Sequence, residues 1–246
     1  SGPESMRFVN VGSVTGYSLF GAIHFDIELT TTTSYVPSDS SLNGFINGKF
    51  AQVNLACGQS VGLRATIKRS CATAPSCKAC DELAATSASQ YIACYAAGCA
   101  CVGTTVYTPA GCSNNALPGF LSGYSCFQQD SVLVLPSSAL VTLTVFDLDT
   151  SPDGAYLEQF TVPEYEYFKM PLRAASGAEV SPGVHANKAT RTFTGTLPGS
   201  DPDLTDNPTD PLVLTDEQAS KGVQFYFRPS LGYIEATYTV SYGGTG

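Results

Sequence analysis

Hydrophobic and polar residues alternate along much of this chain with a period of two. Ile23, Phe25, Ile27 and Leu29 are separated by His24, Asp26 and Glu28, the pattern of a strand with one face buried. The same criterion predicts strands over residues 49–55, 61–68, 104–107, 132–135, 140–146, 156–162 and 190–196. Near the end, Val223, Phe225 and Phe227 alternate with Gln224, Tyr226 and Arg228. After a turn at Pro229 to Gly232, Ile234, Ala236, Tyr238 and Val240 alternate with Glu235, Thr237 and Thr239, and the two runs read as a β-hairpin. One short helix precedes them. Thr215-Asp216-Glu217-Gln218 has the spacing of a capping box, and Gly222 stands where the helix would stop. Eight or more short strands with turn-rich connections predict a mainly β fold. The expected form is an antiparallel β-sandwich, Greek-key or jelly-roll-like, as a single domain over residues 1–246.

The cysteines alter that picture in one segment. All nine fall between Cys57 and Cys126, at Cys57, Cys71, Cys77, Cys80, Cys94, Cys99, Cys101, Cys112 and Cys126. Between Cys77 and Cys101 the composition turns to Ala, Cys and Ser, and Cys80, Leu83, Ala84, Ser87, Tyr91 and Cys94 can share one helical face. We therefore expect a disulfide-rich, partly helical insertion over residues 70–127, formed in an oxidising compartment. An odd count leaves one thiol over, and spacing fixes neither the pairing nor the odd member. Zinc is the weaker reading of Cys77-x-x-Cys80. No second Cys-x-x-Cys follows, and Cys99-x-Cys101 does not readily place both sulfurs on one tetrahedral metal. A thioredoxin-like motif lacks its strand and helix context.

Charge is as uneven as cysteine. Residues 1–126 hold six acidic and six basic side chains and residues 127–246 hold fifteen and six, so the net charge of -9 belongs to the second half. That balance opposes nucleic acid and anionic membranes as partners, and no apolar run is long enough for a membrane span. The acidic residues gather in two places, Asp147, Asp149 and Asp153 after a predicted strand, and Asp206, Asn207 and Asp210 in a proline-rich loop. If the strand alternation continued, Asp147 and Asp149 would share its core-facing side roughly 6–7 Å apart, where they would repel and require a cation or strong donors. Ca²⁺ takes roughly six to eight oxygen ligands, so these six residues are the expected calcium set if the loops meet. The competing expectation is that they cap turns and stay in water.

Catalytic signals are sparse. His24 and His185 are the only histidines, and no nucleophile elbow, phosphate-binding glycine loop or His-Glu-x-x-His occurs. His24, Asp26 and Glu28 read as the polar face of a sheet rather than a metal stripe. Charged residues are only 13% of the chain while Thr, Ser, Gly, Ala and Tyr are abundant, a balance usual for a secreted or wall-associated β protein. The expected function is a secreted or cell-surface structural or adhesive protein, not an enzyme, acting on protein neighbours, further copies of itself, or glycans. A carbohydrate-binding module is the alternative. It lacks tryptophan, but thirteen Tyr and thirteen Phe can replace that stacking surface. A glycan-active hydrolase with paired carboxylates is the third reading.

Overall fold

The computed structural model describes residues 5–14, 23–46, 49–70, 132–199 and 207–243. Twelve strands appear among them: β1 (Ser5–Val14), β2 (Ile23–Thr31), β3 (Gly44–Ile46), β4 (Phe50–Gln52), β5 (Gln59–Arg69), β6 (Val141–Val145), β7 (Tyr156–Thr161), β8 (Tyr167–Lys169), β9 (Val184–Asn187), β10 (Thr192–Gly195), β11 (Val223–Phe227) and β12 (Tyr233–Tyr242). A 3-10 turn covers Ser40–Leu42, and one α-helix, α1, covers Asp216–Ser220. The described residues are thus mainly β. Seven strands hydrogen-bond in the order β1-β2-β5-β12-β7-β10-β9, three in the order β6-β11-β8, and β3 pairs with β4. The registered pairs are antiparallel.

The chain divides into two compact units. The first comprises Ser1–Met6, Leu29–Ala65 and Pro136–Gly246, and the second Arg7–Glu28 and Thr66–Leu135. In the first, side chains from the two larger sheets meet edge to face. Phe193 of β10 lies 4.7 Å from Phe225 of β11 between ring centroids, and Phe160 of β7 stacks on Phe225 at 6.0 Å. Val61, Val162, Phe193, Val223 and Phe225 are wholly enclosed. Such aromatic packing carries much of a core's apolar burial. Beside it α1 starts as its sequence predicts. Thr215 Oγ1 accepts from the Gln218 N–H at 3.2 Å, and the Thr215 N–H donates to Gln218 Oε1 at 3.0 Å. Ala219 then buries against Ala174 and Leu214.

In the second unit, β1 and β2 are joined by polar side chains. Asp26 is buried, and it accepts from Arg7 Nε and from the Asn10 N–H, each at 2.8 Å. Burial opposes its ionisation, but hydrogen bonds from Ser70, Asn10 and Arg7 prevail and hold its carboxyl below the usual range. Glu28 pairs with Lys68, and His24 Nδ1 lies 3.1 Å from Asn10 Oδ1. The His24, Asp26, Glu28 stripe is therefore engaged in pairing rather than left as an open polar face.

The tertiary structure corrects the hairpin. β11 lies in the three-stranded sheet between β6 and β8, whereas β12 lies in the seven-stranded sheet between β5 and β7. Residues 228–232 therefore pass from one sheet to the other. The alternation in each run is real, but alternation specifies a buried face and says nothing about the partner across it. The span 132–135 forms only an isolated bridge, Lys68 with Val132. The segment expected as an insertion, residues 70–127, lies outside the described residues except for Ser70. So do the expected strand over 104–107 and every cysteine but Cys57.

Candidate functional site

The site forms where β6 runs out, within the first unit. Regular pairing stops at Val145, and Asp147 adopts a left-handed backbone with φ of 60°. That turn breaks the strand alternation, so Leu148 and Asp149 are both buried in succession. The backbone is fixed on both sides. The Leu148 N–H donates to the Lys221 carbonyl at 3.0 Å, and the Asp149 carbonyl accepts from the Glu158 N–H at 2.9 Å.

Glycine makes the room. Continuing the register of β10 with β7 sets Gly195 opposite Glu158. A β-carbon on Gly195 would lie 2.5 Å from the Asp149 nitrogen, and one on Gly199 would lie 2.5 Å from Asp149 Oδ2. Any side chain at Gly195 would occupy the space the Asp149 backbone fills.

Along β7, Tyr156, Glu158 and Phe160 share a face by alternation, and Phe160 marks that face as the inner one. Glu158 therefore points the same way as the core. Tyr238 stands opposite Phe160 on β12, diagonal to Glu158, and donates its hydroxyl to Glu158 Oε1 at 2.5 Å. Burial pushes the Glu158 carboxyl up to about 8, with the charges of Asp149 and Asp147 adding to the rise against the Tyr238 hydrogen bond. Burial and the Glu158 charge likewise raise Tyr238 well above the normal phenol range.

The countercharge is Lys221, the C-cap of α1, whose side chain has no exposure. Its Nζ lies 3.6 Å from Asp149 Oδ2 and 3.2 Å from Glu217 Oε1 one helical turn back. Desolvated charges in such a place require partners, and removing one is far more damaging than removing a surface charge. Chemically, the cluster sets the Glu158 carboxyl, whose proton is held more tightly than usual, beside Asp149 and the enclosed Lys221 amine.

Of the six residues expected to bind calcium, the structure brings Asp147 and Asp149 to this cluster. Asp153 turns elsewhere. Its carboxyl is exposed and held below the usual range by hydrogen bonds from Ser151 and the Ala155 N–H. Asp210 caps the Leu212 N–H at 2.9 Å and pairs with Lys49 at 2.7 Å. The Asn207 carbonyl accepts from Gln218 Nε2 at 3.2 Å, and Asp206 lies outside the described residues. Among the described residues, no group of three His, Cys, Asp or Glu side chains is arranged to hold a metal ion. Cys57, the one cysteine among the described residues, is half-buried.

Sequence reasoning passed over Glu158, Tyr238 and Lys221. Glu158 lies inside a run that reads simply as strand, and Lys221 follows a helix too short to look like core. The available signal was Lys221 itself, the first basic residue after Arg191 in an otherwise acidic stretch. Comparison with known proteins adds nothing to this geometry: no protein-family model, no curated protein and no solved structure matches the chain.

Proposed function

We propose that this chain is an extracellular structural or adhesive β-sandwich protein, stabilised by disulfides in its cysteine-rich segment, that works by assembly or surface binding rather than catalysis. The observation that carries this reading is where the paired carboxylates lie. Asp149 is 7% exposed and Lys221 is wholly enclosed, so this acidic cluster acts on the fold from within instead of facing a substrate. A glycosidase needs two carboxyls flanking an open cleft. Assembly is supported by β1, a ten-residue strand at one end of the seven-stranded order, with Val9 and Val11 exposed. An edge with apolar side chains is a template for a further strand.

Light scattering over a concentration series tests this. Concentration-dependent association that Val9→Lys with Val11→Lys abolishes supports assembly through β1, and a monomer at every concentration overturns it. Calcium belongs to the same reading, with Asp147 and Asp149 the two of its six expected ligands that stand in this cluster. Thermal unfolding in EDTA and then in Ca²⁺ decides that point. A rise of several degrees, lost in Asp147→Asn with Asp149→Asn, supports a bound ion. No shift leaves Lys221 as the charge that balances Asp149. No helix among the described residues is long and apolar enough to cross a membrane.

A further inference from the structure

A second feature of the first unit lies away from the carboxylate cluster. β8 ends the three-stranded sheet and β9 ends the seven-stranded sheet, and between these two edges opens a cleft of about 930 Å³. Phe168 and Val184 supply apolar lining, with Lys169, His185, Lys188 and Thr196 around them.

The charge of this cleft runs against its surroundings. Residues 127–246 carry fifteen acidic and six basic side chains, so a patch with two lysines would carry about five carboxylates if charges were mixed evenly. Among the described residues that line this cleft, none is acidic. Both lysines are exposed, and among the described residues neither has a carboxylate partner. They rest on aromatic faces instead: Lys188 Nζ lies 5.8 Å from the Phe168 ring centre, and Lys169 Nζ lies 5.3 Å from that of Tyr226. Such contacts orient an ammonium without neutralising it.

Tyr226 in turn stacks on Tyr167, with ring centres 4.2 Å apart and planes 16° from parallel. Tyr167 is 42% exposed. Lys169 thus joins a lysine-bearing cleft to an exposed tyrosine surface.

We propose that this cleft and tyrosine pair bind an acidic oligosaccharide bearing carboxylate or sulfate groups. Lys169 and Lys188 take the anionic groups, His185 adds a ring nitrogen, and Tyr167 receives an apolar sugar face. The stacked tyrosines favour a sugar over an acidic peptide, because a flat ring surface matches the C–H face of a pyranose. Binding needs only a monomer, so this inference goes beyond the assembly reading, and either can fail without the other.

The experiment is calorimetric titration of the whole protein with oligogalacturonate and with sulfated dextran, using neutral dextran and poly-glutamate as comparators. Saturable binding of an acidic oligosaccharide, absent for neutral dextran and weakened by salt, is expected. Lys169→Gln with Lys188→Gln should weaken it by about tenfold or more, and Tyr167→Ala should weaken it while far-UV circular dichroism stays unchanged. These side chains are exposed, so folding is not at stake. Equal or tighter binding of poly-glutamate overturns the sugar assignment. No binding of either acidic sugar, or binding indifferent to the lysine pair, overturns the site.

Discussion

Glu158 is the residue on which the pH behaviour of the first unit turns. The unfolded chain releases this proton near pH 4.5 and the folded protein holds it to about 8. Between those values the unfolded state binds fewer protons, so stability falls as pH rises, by at most about 1.4 kcal/mol per pH unit from this group. Its contribution is whole below about pH 4.5 and gone above about 8. Glu158→Gln keeps an acceptor for Tyr238 and removes the titration. The variant's midpoint relative to the native protein should therefore rise as thermal melts are moved from the lower to the upper end of that window. A difference that stays flat with pH would show that Glu158 does not hold its proton. None of this was legible in the sequence. A glutamate inside a strand run reads as a solvent-facing polar position, and only the alternation relative to Phe160, fixed by packing, turns it inward.

At the scale of elements, the local signals that proved reliable are those whose physics is itself local. The capping box at Thr215 closes within four residues, and both of its hydrogen bonds form. Thr215→Ala leaves an unsatisfied N–H at the start of α1 and should lower unfolding free energy by about 1 kcal/mol, read as a lower denaturation midpoint at unchanged slope. An unchanged midpoint would show that tertiary packing alone holds the helix. β1 was missed for an equally local reason. Asn10 has a left-handed backbone, φ 52°, within the strand, so buried and exposed positions do not keep one alternation through it. Val9 and Val11 end exposed, while Met6 is buried. The hairpin failed differently, since β11 and β12 are each sound strands whose neighbours in sequence are not their neighbours in space.

At the scale of the whole molecule, the nine cysteines carry the compartment assignment. Thiol counting on native protein, before and after reduction, should find most of them paired and one left over to alkylate once the chain is unfolded. Nine free thiols would remove the basis for secretion. The sequence by itself determined the mainly β class, the capped helix and the acid-rich second half, because composition, period and short-range hydrogen bonding are properties of neighbouring residues. Tertiary structure alone decided which sheet each strand joined. It also set Gly195 against Asp149, brought Glu158, Tyr238 and Lys221 to the same carboxylates, and separated Asp153 and Asp210 into contacts of their own. Those outcomes depend on the register and packing of segments tens of residues apart, and a period of two carries no information about distance across the fold.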